Sequence, residues 1–244
     1  KNNFNVYLKN LNSLGKDDPI YKSSPSLDGM SIFEIGSSLP LIKNDESKKE
    51  FLTPKISLRV NPGNNMKDYS TSFKTISADN VFSINRLGIG DTFEAGKSIT
   101  LGIDYKLDYE NEFYTLNDNN EEPQKNKFFE FKLATVLRDV VENEIPTSST
   151  IDKKNSNIFG TINNELFENL KFGYDFSIDN DFKTFESHSV NTEISINNFV
   201  TEFNYIEERA ELGSSHVVSN KTSYSLDENN LFSFSTRRNK KIPL

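Results

Sequence analysis

From Lys97 to Tyr109 the chain alternates without a break. Ile99, Leu101, Ile103, Tyr105, Leu107 and Tyr109 fall in one set, and Ser98, Thr100, Gly102, Asp104, Lys106 and Asp108 in the other. Successive side chains of an extended strand point to opposite faces, so this pattern predicts a strand with one apolar and one polar face. Residues 97–109 are longer than the usual strand of about 5–6 residues and suit the roughly 9–11 residues of a tilted strand that crosses a bilayer. The rhythm recurs. Leu170, Phe172, Tyr174, Phe176 and Ile178 alternate with polar residues, the turn Asp179-Asn180-Asp181 follows, and His188, Val190, Thr192, Ile194 and Ile196 resume the pattern. Asn197-Asn198 then turns the chain into Phe199, Thr201, Phe203 and Tyr205. Tight Asn and Asp turns between alternating runs are the signature of antiparallel hairpins.

Further strands are predicted over residues 4–8, 30–41, 52–60, 70–78, 127–138, 158–163, 216–226 and 231–238, with residues 227–230 turning between the last two. That makes roughly a dozen strands. The polar stretches 110–126, 141–157 and 207–214 read as long loops of the extracellular type, opposite the short turns that close the periplasmic end of a barrel. Faces of helical period are absent.

Composition narrows the fold class. Apolar residues make up 34 % of the chain, yet 20 Phe and 9 Tyr are present. No run approaches the roughly 20 apolar residues of a membrane-spanning helix. A barrel with a polar lumen and an apolar outer wall reconciles these facts, since its average hydropathy resembles that of a soluble protein. The expected fold is therefore an all-β, antiparallel transmembrane β-barrel, of which this chain supplies a part. A net charge of −8 argues against a nucleic-acid partner. The absence of Cys removes disulfides and thiolate chemistry from this stretch. The chain opens on Lys1 with no basic and apolar leader, so residues 1–244 are expected to be an internal part of one barrel domain, without signal peptide or periplasmic domain.

Patterns that carry chemistry are sparse. His188 and His216 sit in alternating runs, as surface or lumen residues do. Residues 29–33 lack the second Gly of a nucleophile elbow. Gly88-Ile89-Gly90 lacks the third Gly of a dinucleotide fingerprint. The acidic run 117–122 lacks the spacing of a calcium loop, and the basic run 237–241 reads as a strand end and turn. No catalytic, cofactor or metal residue is assigned, and the chain is not expected to be an enzyme.

The sharpest features are two. Leu52-Thr53-Pro54-Lys55-Ile56-Ser57-Leu58-Arg59 precedes Asn80-Val81-Phe82-Ser83-Ile84-Asn85-Arg86-Leu87-Gly88-Ile89-Gly90-Asp91-Thr92-Phe93-Glu94-Ala95-Gly96, which runs into the strand at 97. Later comes Ser156-Asn157-Ile158-Phe159-Gly160, after a strand that ends on Arg138. Together they resemble the LptD barrels, with their "TP-R" strand start, "N-FS-NR" segment, Gly-containing loop, Asp, "E-G" and "SDIVG" segments. The recognisable motifs span residues 52–160. Lys55 stands where Arg is common and Thr92 where a second Arg often follows Asp91. The positions carried over are Pro54, Asn85, Arg86, Gly88, Asp91, Gly96 and Gly160, read as bracing a loop or filling the lumen. On the residues alone, Pro54 removes a donor where a ladder needs none, and Arg86 and Asp91 are placed to pair across the Gly88/Gly90 turn.

The resemblance implies lipopolysaccharide transport and assembly at the outer membrane of a Gram-negative bacterium, without covalent chemistry or a cofactor. It further implies an LptE-type lipoprotein inside the barrel, an LptA-type periplasmic bridge, contact with outer-membrane lipid, and release through a seam between first and last strands. Two other readings share the composition: a passive porin or specific channel, and a soluble β-sandwich adhesin or carbohydrate-active domain.

Overall fold

The computed structural model describes residues 1–17, 23–63, 73–90, 92–109, 127–209, 214–227 and 229–239. Its strands are β1 (Asn2–Ser13), β2 (Ser26–Ser38), β3 (Leu41–Asn44), β4 (Lys48–Asn61), β5 (Gly96–Tyr109), β6 (Lys127–Leu137), β7 (Ile158–Phe167), β8 (Leu170–Ile178), β9 (Phe185–Ile196), β10 (Phe199–Glu208), β11 (Ser215–Ser225) and β12 (Leu231–Asn239). All belong to one 12-stranded sheet in the order β1-β2-β4-β5-β6-β7-β8-β9-β10-β11-β12, with β3 beside β4. Every pairing is antiparallel. Among the described residues the only helical turn is a 3-10 turn at Thr147–Ser149, and no helix is long and apolar enough to cross a membrane.

The two faces of the sheet are inside out relative to a soluble protein. On β5 the apolar Ile99 and Leu101 are 39 % and 38 % exposed, whereas Ser98 and Thr100 between them are 3 % and 1 % exposed. On β4, Ile56 and Leu58 are exposed while Ser57, Arg59 and Asn61 are buried. Cross-strand register carries this apolar outer row sideways through Pro54, Ile103, Leu133, Gly160, Phe176 and His188. A sandwich would seal such rows between two stacked layers; here there is one sheet and they face outward, so that reading falls.

The outer band has the height of a bilayer core. From Ile99 to Leu107 there are eight residue steps of about 3.3 Å, or about 26 Å of strand. At a tilt of about 40° this is about 20 Å of height, close to the roughly 25 Å apolar belt of outer-membrane barrels. Charged and aromatic groups bound it. Lys97 lies above, and Tyr109 with the Lys48–Glu50 pair below. Rings gather at both ends, as at Tyr105–Phe129 (6.4 Å) below and the stacked Phe185–His188 (4.6 Å) and Tyr205–His216 (5.3 Å) above. Both histidines thus lie on the outer face.

Three expectations need correction or refinement. The strand predicted over 70–78 does not form in its described part: residues 73–77 are irregular and 78–80 turn. Side-chain and turn bonds take the place of a ladder, with Lys74 N donating to Leu87 O (2.8 Å), Ser77 N to Asn80 Oδ1 (3.0 Å) and Asn80 Nδ2 to Thr75 O (2.7 Å). Secondly, the three long connections do not share one end of the sheet. β5 and β6 are joined at the end where Tyr109 pairs with Lys127, while β6 to β7 and β10 to β11 are joined at the opposite end, because each strand reverses the chain. Thirdly, Pro54 lies inside β4 rather than near its start. It faces the break between β2, which pairs as far as Lys55, and β3, which begins at Leu52. Pro54 O accepts from Leu39 N (3.1 Å), so its missing N–H points into that break, where no ladder bond is lost.

Candidate functional site: a salt-bridged plug on the inner face

Of the connection between β4 and β5, the described residues 73–90 and 92–95 fold onto the inner face, where Ile76, Ala78, Val81, Leu87, Ile89 and Ala95 pack against Ala134, Val136 and Phe159 of β6 and β7. Ile145 and Ile151, from the connection between β6 and β7, join the same cluster. On the other flank, Phe93 packs with Met30 and Ile32 of β2. Lys9 of β1 donates to Gly90 O (2.7 Å) and Thr92 O (3.3 Å) and stands over the Phe93 ring at 4.5 Å. One segment thereby touches β1 and β6 at once, so the sheet curves around it.

Several motif positions have a mechanical part in this plug. Asn80 closes its first turn through the two bonds described above. Phe82 seats its ring against Gly102, where a Cβ would lie 2.7 Å from Phe82 Cε2, and Lys55 stands 5.4 Å from the centroid of that ring. Ser83 offers its carbonyl to Arg59 Nη2 (2.7 Å). Asn85 Nδ2 donates to Ile89 O (2.9 Å) around Gly88, whose φ of +70° favours glycine. Gly96, at φ +74°, reverses the chain into β5 beneath the Glu142 side chain. In the later motif, Ser156 Oγ accepts from Val136 N (2.9 Å), and buried Asn157 donates to Ser177 Oγ (3.0 Å) and Glu186 Oε2 (2.6 Å). Gly160 faces outward beneath the Phe176 ring, which occupies the space a Cβ would need.

At the centre lies Glu94, which binds three arginines. Oε1 accepts from Arg86 Nη2 and Arg138 Nη2. Oε2 accepts from Arg86 Nε (2.6 Å) and Arg59 Nη1 (3.2 Å). Arg59 also pairs with Glu34 Oε2 (3.0 Å), which Asn5 Nδ2 supports at Oε1 (3.2 Å). Arg86 completes its donors at Thr100 Oγ1 (2.9 Å), Ser98 Oγ (3.1 Å) and Val81 O (3.2 Å), and Arg138 at Ala95 O (3.0 Å) and Ile151 O. All five charged side chains are buried. The cluster binds the plug to β1, β2, β4 and β5 and to the exit of β6.

Burial alone would raise the Glu94 pKa, but the positive charges of Arg86 and Arg59, the bonds from Arg86 and the charge of Arg138 outweigh it and hold the carboxyl at about 2. For Arg86 burial prevails: despite Glu94, its pKa falls to about 10, which leaves it charged at neutral pH.

Sequence reasoning pairs Arg86 with Asp91. Asp91 lies outside the described residues, as do residues 117–122, Lys240 and Lys241, and the carboxylate on Arg86 is that of Glu94. Arg59, Glu94, Arg138 and Glu34 were not singled out as site residues. Arg59 and Glu94 stand inside the quoted motif stretches and Arg138 ends the strand before the later one, but no local charge pattern sets them apart. Pro54 and Gly160 lie on the outer face and do not join the cluster. Among the described residues no group of three His, Asp or Glu side chains is placed to hold a metal ion.

An antiparallel sheet with a lipid-facing outer row, a hydrophilic inner face and an inward-folded connection is the wall of an outer-membrane β-barrel. The sequence model of the LptD family, LPS transport system D, matches residues 9–235, and the chain belongs to that family. A search of curated proteins returns no match.

Proposed function

We propose that this chain forms part of a single barrel domain in the outer membrane that inserts lipopolysaccharide into the outer leaflet, without covalent chemistry. Its family membership supports transport of this lipid, and the inside-out burial of β4 and β5 supports a bilayer setting. The inner face of β8 to β11 carries Lys171, Asp175, Glu193, Asn191, Glu202 and Lys221, a lining suited to a hydrated glycan while acyl chains stay in the apolar phase. An LptE-type lipoprotein in the lumen and an LptA-type bridge that feeds the barrel from the periplasm complete the reading. A passive pore needs an open lumen, whereas residues 73–90 and 92–95 lie packed against the wall.

Photo-crosslinking tests the proposal. A benzophenone amino acid at Lys171 or Glu193 of the intact protein in cells should capture lipopolysaccharide, and the LptE-type and LptA-type partners should copurify. Ion conductance without either capture would overturn it in favour of a channel.

A further inference from the structure

Along β8 to β12 the outward side chains are uncharged until the strands reach the end away from the tight turns at 168–169 and 197–198. There the register sets two rows side by side. Phe176, His188, Glu207 and His216 stand opposite one another on β8 to β11. Two residues nearer the bilayer centre come Tyr174, Val190, Tyr205, Val218 and Arg238 on β8 to β12. Short turns close the periplasmic end of an outer-membrane barrel, so this rim meets the outer leaflet.

Glu207 is the one carboxylate in these rows, and its partners cover it. Its Oε1 accepts from Arg209 and its Oε2 from Tyr205. The Glu207 side chain is 12 % exposed and that of Arg209 55 %, so the rim presents the cation and hides the acid. His216 lies directly across the β10–β11 pair from Glu207. Tyr205 packs edge-on against its ring at 5.3 Å, and among the described residues neither ring nitrogen has a hydrogen-bond partner. Arg238 is exposed at the diagonal position across β11 and β12 and makes no ion pair among the described residues. Diagonal neighbours on one face of a sheet lie about 7–8 Å apart, within reach of long side chains. His188 differs: its Nδ1 shares a 2.7 Å bond with the Tyr174 hydroxyl and Phe185 stacks on its ring, so it walls the far side of Glu207.

Three groups therefore stand together with donors to spare: the guanidinium groups of Arg209 and Arg238 and the ring of His216. Guanidinium forks hold phosphate through paired, charge-assisted bonds. A phosphomonoester offers three acceptor oxygens and close to two negative charges, which suits two forks and a ring N–H; a phosphodiester has one oxygen and one charge fewer to give. Height suits a headgroup as well. Glu207, His216 and Arg238 occupy the last outward positions of their strands at this end, and charges deeper in the wall would be costly.

We propose that Arg209, His216 and Arg238 form a binding site for a lipid-borne phosphomonoester of the outer leaflet, on the outside of the barrel wall. The acyl chains of a lipid held there lie along Val218, Phe203 and Phe234, the outward residues below. The site faces away from the lining proposed for transport and does not depend on it.

Native mass spectrometry of the intact protein in a non-ionic detergent tests the site. The probes are dioctanoyl phosphatidic acid as the monoester, dioctanoyl phosphatidylglycerol as the diester, and inorganic phosphate as the ion without a lipid. Phosphatidic acid should bind about tenfold more tightly than phosphatidylglycerol, the worth of one further charge-assisted bond. The preference should vanish in the double variant His216→Gln, Arg238→Gln and return in part in His216→Gln, Arg238→Lys, with the amides of β8 protected as in the native protein throughout. At the opposite rim, Lys48→Gln with Lys127→Gln should keep it. Equal affinity of the native protein for both lipids would overturn the proposal, as would a preference that survives the double variant or is lost with the opposite rim. Displacement of phosphatidic acid by equimolar inorganic phosphate would also overturn it, because the site would then take the free ion. Transport enters none of these readouts, so failure here and failure of the transport reading are distinguishable.

Discussion

Replacing Glu94 by Gln removes the negative charge, and one of the two acceptor oxygens, that three guanidinium groups share while keeping the shape of the side chain. In the native cluster Arg59, Arg86 and Arg138 face Glu34 and Glu94, which leaves one net positive charge in a dry site; the substitution makes it two. For charge centres about 4 Å apart, one pair is worth about 4 kcal/mol at an effective dielectric constant of about 20. Breaking a buried pair from one side costs about 3–5 kcal/mol. The loss should appear in the plug rather than the wall, because β4 and β5 retain their own ladder. Its readout is amide exchange at Lys74, Val81 and Gly88, whose N–H groups bond within the plug. At about 1.4 kcal/mol for each factor of ten, these amides should exchange roughly 100-fold to 3,000-fold faster in Glu94→Gln, with β5 amides unchanged. Adding Arg86→Met returns the net charge to one and should recover part of the protection. Exchange within threefold of the native rate in Glu94→Gln would refute the view that this cluster holds the plug.

The same carboxyl sets an acid limit. With its folded pKa held at about 2, below its ordinary 4.5, Glu94 contributes stability that is present in full above that ordinary value and is lost as the pH falls through about 2; an environment-sensitive fluorophore on Thr75→Cys should report a docked plug at pH 6 and a released one below pH 2. On the outer wall, Leu101→Arg should cost about 2–4 kcal/mol if the site lies near mid-bilayer, read as refolding yield into phospholipid vesicles, whereas Lys106→Ala on the inner face should refold as the native protein does. Gly160→Val should lower the thermal midpoint because Phe176 fills the space its side chain needs, and Phe176→Ala in the same chain should restore much of it. Gly96→Ala places a side chain at φ +74° and should cost about 1–2 kcal/mol, measured as a lower midpoint of thermal unfolding in detergent.

Most of the wall was legible in the sequence because a barrel strand displays its periodicity at every position. The runs at 97–109, 170–178 and 188–196 reappear as β5, β8 and β9 with small shifts at their ends. The plug was not legible for the same reason inverted. Residues 73–95 carry apolar groups at Phe73, Ile76, Ala78, Val81, Phe82 and Leu87, a spacing that follows no single period, so part of the segment passed for a strand. Its structure depends on contacts far along the chain, such as Glu94 with Arg138 and Lys9 with Gly90. Local pattern held Arg86 and a nearby Asp, but the choice of Glu94 needed the wall strands in place.

Why the plug is held by charges follows from the wall itself. An ordinary connection would be fixed by burying apolar surface, but the inner faces of β4 and β5 offer Ser57, Arg59, Asn61, Ser98 and Thr100, since the apolar residues of those strands are turned to lipid. Only the short strip of Ala134, Val136 and Phe159 and, on the other flank, Met30 and Ile32 of β2 supply apolar seats. Elsewhere the plug has to satisfy buried polar groups, and unpaired they would be costly. Glu94 does this with directional bonds that tolerate few other arrangements, because both oxygens and three arginines must meet. Register of the plug against five strands is thereby tied to one side chain, and a change at Glu94 reaches β1, β2 and β6 through residues none of which adjoins it in sequence.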